Sequence, residues 1–119
     1  EKIDGLIFGI GRADDMMIRR DLPPKLCDKL VEAGVVGEAL GSFFNPEGKR
    51  IHELETFGIR IEQLQTLDFL MAIAYGKDKA QAVVSVSHIN PNIILVTDRS
   101  CAEEMSTLLG GRNNGKSSN

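Results

Sequence analysis

Apolar and polar positions alternate along this chain in blocks that change period several times. Residues 3–10 (IDGLIFGI) form a short apolar run closed by Gly9 and Gly11, a pattern that suits a mostly buried strand. Residues 12–20 then read as a helix, with Asp14 and Asp15 near its start and Arg19 and Arg20 near its end, as a helix dipole favours. Pro23 and Pro24 break it. Residues 25–33 place Leu26, Leu30, Val31 and Ala33 near helical spacing, and Gly34 supplies a left-handed stop. Residues 35–44 (VVGEALGSFF) and 50–55 (RIHELE) flank Asn45-Pro46-Glu47-Gly48, which predicts a β-hairpin or two strands on a short loop. A short helix is expected over 60–67.

From there the pattern is cleaner. It runs strand 69–75 (FLMAIAY), helix 78–88, strand 93–96 (IILV) and helix 100–109. Two wholly apolar strands alternating with helices indicate βαβ units and a parallel sheet covered on both faces. Asp78 with Gln81, and Ser100 with Glu103, have the spacing of capping boxes. The fold class is therefore α/β, a mainly parallel sheet with an added β-hairpin. Residues 110–119 (GGRNNGKSSN) are expected to form a flexible tail.

Composition narrows the class. The chain has 119 residues, 42 % hydrophobic and 26 % charged, which is ordinary globular usage. Its net charge is −3, so the segment lacks the basic footprint of a nucleic-acid binder. No apolar run approaches the roughly 20 residues that cross a bilayer. Cys27 and Cys101 stand far apart with no partner at metal-ligand spacing and read as reduced thiols, which points to a cytoplasmic protein without a metal. The chain enters its first strand directly after Glu1-Lys2 with no initiator methionine, and this predicts a fragment of a longer protein.

Ligands of open α/β sheets sit beyond the carboxyl ends of the strands. Three such corners exist, after Ile10, after Tyr75 and after Val96. At the second, Lys79 falls in the first turn of a predicted helix, where the dipole disfavours a cation. It is either a solvated lysine or a lysine awaiting a phosphate. The Gly9-Ile10-Gly11 corner starts like a dinucleotide fingerprint, but Asp14 stands at the third glycine, so a tight strand-to-helix turn is the better reading. Glu38 shares a strand face with Val36 and Leu40. It lies either on a wet edge strand or in a polar pocket, where it would accept sugar hydroxyls. Arg19 and Arg20 suit a helix end. His52 and His88 have no carboxylate placed for acid–base work, and no catalytic residue, metal set or cofactor loop is present.

The runs 9–20 (GIGRADDMMIRR), 36–45 (VGEALGSFFN) with Gly48, 74–80 (AYGKDKA) and 95–98 (LVTD) occur in a recognisable order. From Gly5 to Leu109 the chain resembles the C-terminal half of the sugar-binding domain of SorC/DeoR-type bacterial transcriptional regulators. The resemblance implies that residues 1–109 are part of a Rossmann-like, three-layer effector domain related to phosphosugar isomerases and deaminases, used for sensing rather than catalysis. It further implies a phosphorylated sugar effector, fructose 1,6-bisphosphate in the glycolytic branch, with contacts at Arg19, Glu38 and Lys79. Operator DNA would be bound through an N-terminal helix-turn-helix outside this chain, in a homo-oligomer. The family's Gly/Thr-rich phosphate loop belongs to the other half of the domain, and here threonine occurs only at Thr56, Thr66, Thr97 and Thr107. Tyr75 stands where relatives more often carry glycine. The competing readings are a phosphosugar isomerase or deaminase, and a domain used mainly for oligomer contacts through the hairpin near Asn45 to Gly48.

Overall fold

A computed structural model of the protein describes residues 5–54 and 61–112. It is a mixed α/β structure with two sheets. Strand β1 (Gly5–Gly9) pairs in parallel with β6 (Phe69–Ala74), which pairs in parallel with β7 (Ile94–Thr97). The second sheet is antiparallel, in the order β2 (Gly11–Arg12), β3 (Gly37–Ala39), β4 (Ser42–Phe44), β5 (Arg50–Glu53). Within the apolar run, residues 5–10 bond to the parallel sheet, while Gly11 and Arg12, the second of which was expected in the helix, form β2 of the other sheet. Ile10 donates its N–H to the carbonyl of Ile73 at 3.1 Å, and the next two residues turn into the antiparallel ladder.

Helix α1 (Ala13–Arg19) and helix α2 (Pro24–Glu32) follow the expected positions, with Pro24 in the first turn of α2, where its missing N–H costs nothing. Both end in the same way. Gly34, at φ +78°, sits beyond α2 while its N–H and that of Val35 return to the carbonyls of Val31 and Leu30. Asp21, at φ +51°, plays the glycine's part beyond α1, with the N–H groups of Asp21 and Leu22 returning to Ile18 and Met17.

Two expectations about the middle of the chain need correction. The segment 35–44 is not one strand. It folds back at Leu40 and Gly41, whose φ values of +52° and +85° make a two-residue turn of the mirror-image type that suits the twist of a hairpin. The expected hairpin follows it, across the turn at Asn45 to Gly48, where Asn45 accepts the N–H of Gly48 at 2.9 Å. Helix α3 spans only Ile61–Leu64, and the expected start at residue 60 lies outside the described residues.

Helix α4 (Ala80–Val86) is extended at both ends by single 3₁₀ turns, Lys77–Lys79 and Ser87–Ile89. The extra turn moves the first α-helical residue to Ala80, so Asp78 forms no capping box. Asp78 instead pairs with Arg12 at 3.3 Å. Helix α5 (Arg99–Arg112) begins one residue before the expected start, and Asp98 rather than Ser100 caps it by accepting the Cys101 N–H at 3.0 Å. It also runs three residues into the expected tail; residues 113–119 lie outside the described set.

The core lies between the sheets and α4. Phe8, Leu70, Ala72 and Ala74 face Val83 and Val86 of α4 and Cys101 of α5, while Phe44 closes the cluster from the antiparallel sheet. Each buried Val or Leu contributes about 1.5–3 kcal/mol. A stripe of alanines on β6 and α4 allows close approach, and Gly37 completes it. A Cβ there would lie 2.9 Å from the Ala82 carbonyl. A second cluster joins Met17, Leu30 and Phe43 under α1 and α2. Among the described residues α4 and α5 cover one face of the parallel sheet. The other face, expected to be covered as well, leaves Ile7 58 % and Ile94 46 % exposed among these residues. No helix is long and apolar enough to cross a membrane among these residues.

Candidate functional site

The carboxyl end of β1, helix α1 and the β3–β4 turn enclose a cleft of about 370 Å³ lined by Ile7 to Gly11, Met16, Arg20, Glu38, Leu40 and Lys79. The first and second strand-end corners thus meet in one place. Of the three residues the resemblance singled out, Glu38 and Lys79 line this cleft. Arg19 does not line it: it lies exposed on the last turn of α1, and Arg20 takes the place on the wall. Two larger clefts, of about 490 and 500 Å³, lie against Asp78 and Gln81 and hold none of the three.

Glu38 is not on a wet edge. Strand β3 runs between β2 and β4, and the residue is only 2 % exposed. A buried carboxylate needs partners, and it has two on one oxygen. Oε2 accepts from Arg20 Nη2 at 2.7 Å and from the Gly41 N–H at 2.7 Å. Both are charge-assisted and short. Oε1 lies on the side of Gly11, 3.8 Å from where a Cβ on that residue would stand.

Lys79 is half-buried and makes no hydrogen bond or ion pair through its side chain among the described residues. Its backbone is fixed by a 3.1 Å bond from its N–H to the Gly76 carbonyl. Gly76, at φ +105°, lets β6 turn sharply into the 3₁₀ segment. A nearby carboxylate secures that turn. Asp98 accepts the Gly76 N–H on both oxygens, at 3.1 and 3.2 Å, and the N–H groups of Cys101 and Gly76 hold its carboxyl below the usual range. The third corner is thereby used for support of the second.

Beside the cleft, Arg12 bonds Asp14 in the first turn of α1 and reaches Asp78. The guanidinium holds the Asp14 carboxyl below its ordinary value, and the same bonds raise Arg12. The stretch from Gly9 to Asp14, expected as a tight strand-to-helix turn, instead passes through β2 before α1 and carries this ion pair at the helix start. Gly11 is there for contact: a Cβ would meet Met16 at 2.8 Å. His52, on β5, and His88, whose Nδ1 lies 3.0 Å from the Val84 carbonyl, are both outside the cleft. Cys27 and Cys101 are free thiols, and no three metal-ligating side chains cluster among the described residues. Arg20 and Asp98 are the contributors that sequence reasoning passed over, the first as a helix-end charge and the second as part of a helix start.

Comparison with known proteins decides the family. A sugar-binding domain family model matches residues 1–106. This chain belongs to the sugar-binding domain family. The domain is 34 % identical over 100 residues to the central glycolytic genes regulator of Priestia megaterium, covering 84 % of this chain and 29 % of that protein. It is 31 % identical to the regulator of the same name from Bacillus subtilis, with the same coverage. Among solved structures, a SorC family transcriptional regulator from Enterococcus faecalis superposes with a TM-score of 0.81 at 32 % identity, over 86 % of this chain and 42 % of that one. The full-length sorbitol operon regulator SorC from Klebsiella pneumoniae shares the fold, with a TM-score of 0.73 over 87 % of this chain and 36 % of that one. The sugar-binding domain described here thus spans less than half the length of these relatives.

Proposed function

We propose that this domain is the effector-sensing part of a bacterial transcriptional regulator and that a phosphorylated sugar occupies the cleft between Glu38 and Lys79. The observation that carries this reading is the convergence of those two side chains on one strand-end cleft, in a chain of the sugar-binding domain family. Lys79 brings an ammonium without a partner among the described residues, suited to phosphate oxygens. Glu38 brings a buried acceptor suited to sugar hydroxyls. Arg19, exposed on the last turn of α1, is proposed as a second phosphate contact that approaches from outside the wall. Fructose 1,6-bisphosphate is the first candidate, since two relatives are named as regulators of central glycolytic genes.

In this reading the domain is not an enzyme and needs no cofactor. It works in the cytoplasm as part of a homo-oligomer, and operator DNA is bound by a helix-turn-helix elsewhere in the protein. Support for sensing over isomerase chemistry comes from the relatives, which are named as regulators, and from Glu38, whose Oε2 is committed to Arg20 and Gly41.

The test is a thermal-shift panel of sugar phosphates on the full-length protein. A ligand at a hundredfold excess over its Kd stabilises by about 2.7 kcal/mol. One clear responder is expected, with the shift reduced in Lys79→Ala. No responder, or an undiminished shift in Lys79→Ala, overturns the reading.

A further inference from the structure

We infer that Arg20 is a positioning residue for sugar recognition: it fixes one oxygen of Glu38 so that the other is presented to the ligand. This rests on the proposed effector cleft and adds a residue and a division of labour to it.

Three observations carry the inference. Glu38 has two acceptor oxygens, and both of its protein bonds fall on Oε2, from Arg20 Nη2 and the Gly41 N–H, each at 2.7 Å. The two donors come from separate elements, the end of α1 and the β3–β4 turn, so together they set the rotation of the carboxylate plane. Oε1 is left toward Gly11, and Gly11, Glu38 and Arg20 line the same cleft. The backbone at both donors is fixed by unusual geometry. Asp21 at φ +51° ends α1 so that Arg20 is its last capping residue, and Leu40 and Gly41 at φ +52° and +85° aim the Gly41 N–H back at Glu38. A carboxylate held by two fixed donors loses little freedom when a hydroxyl binds its second oxygen, and that pre-organisation favours hydroxyl recognition. Arg20 acts through Glu38, and its effect belongs to hydroxyl discrimination rather than to phosphate affinity.

The experiment measures discrimination on the full-length protein. Its probes are the sugar phosphate that responds in the panel and analogues of it, each lacking one hydroxyl. In wild type, loss of the hydroxyl facing Glu38 is expected to weaken binding by about 10- to 100-fold, the range for a hydrogen bond to a charged group. Glu38→Gln and Arg20→Gln are both expected to bring that ratio below about threefold, with no further loss in the double variant. Lys79→Ala is expected to weaken parent and analogue alike and leave the ratio unchanged. If Arg20→Gln does not fold, Arg20→Lys carries the test: it keeps the charge but not the planar fork, and an intermediate ratio is expected. A purely structural role would lower stability and leave the ratio of the folded protein at the wild-type value. A wild-type ratio in Arg20→Gln or Arg20→Lys overturns the inference. Failure of wild type to bind any sugar phosphate overturns the underlying reading instead, and the two failures are distinct.

Discussion

Gly76 donates a single backbone N–H to both oxygens of Asp98, which in turn caps helix α5 through the Cys101 N–H. One carboxylate therefore ties the end of β6 to the start of the helix after β7. Its folded-state value is depressed, chiefly by the N–H groups of Cys101 and Gly76. The sign follows directly. The unfolded carboxyl titrates near about 3.9, so the stabilisation is complete above that value and is lost as pH falls through the lower folded value. Asp14, depressed first by its hydrogen bond from Arg12, acts in the same direction. Asp98→Asn is expected to lower the melting temperature at neutral pH and to flatten the acid limb below about pH 4. An acid limb as steep as that of wild type would remove Asp98 from the account.

The Asn45–Gly48 turn predicts a steric cycle. Gly48, at φ +85°, faces His88, and a Cβ there would lie 2.4 Å from both Cβ and Cγ of that residue. Neither atom is the free end of a flexible chain. Gly48→Ala is expected to cost about 2–3 kcal/mol, from left-handed backbone strain and overpacking together. In His88→Ala the same change should cost up to about 1 kcal/mol less, because the Cγ contact is gone while the backbone strain and the Cβ contact remain. Equal costs in both backgrounds, measured by urea denaturation, would show that the ring is not the obstacle.

Asp21 predicts the opposite sign. It holds a left-handed φ of +51° at the end of α1, where glycine carries no Cβ penalty. Asp21→Gly is expected to leave stability unchanged or raise it by up to about 1 kcal/mol. Asp21→Val should lower it by about 1–2 kcal/mol, since a β-branched residue resists that conformation.

Much of the architecture was written in the pattern of residues. The apolar runs of β6 and β7, with a helix after each, marked βαβ units and a parallel sheet, in which β6 is central and β7 lies at the edge among the described residues. Gly34 and Pro24 marked the ends of α2. Other features depended on choices that the pattern leaves degenerate. Leu40-Gly41 lacks the Asn-Gly or Asp-Gly signature of a tight hairpin, so 35–44 read as one strand. Helix ends decided the rest. Whether Arg19 or Arg20 faces the cleft is settled by where α1 stops, and that is set by an aspartate in a glycine's conformation. Asp98 and Ser100 are both competent caps, and the first α-helical residue, Arg99, selects Asp98. Glu38 and Lys79 were legible as residues set against their local surroundings. That they share a cleft depends on the crossover at Ile10 and on Gly76, which only the folded chain brings together.

Arg19 and Lys79 differ in setting, and their variants should differ accordingly. Lys79 is half-buried on the cleft wall and Arg19 is exposed. An exposed ion contact is worth about 0–1 kcal/mol, so Arg19→Ala is expected to weaken sugar-phosphate binding by no more than about fivefold, and less at high salt. A loss equal to that of Lys79→Ala would place Arg19 as deep in the site as Lys79.

The central claim is that Lys79 and Glu38 bind one phosphorylated sugar, Lys79 at a phosphate and Glu38 at the sugar hydroxyls. The most direct measurement is calorimetric titration of fructose 1,6-bisphosphate into the full-length protein and its Lys79→Ala and Glu38→Gln variants. The account predicts one site per chain, with the Kd raised by about 10- to 100-fold in each variant, as expected for loss of a hydrogen bond to a charged group. Wild-type affinity in both variants would contradict it.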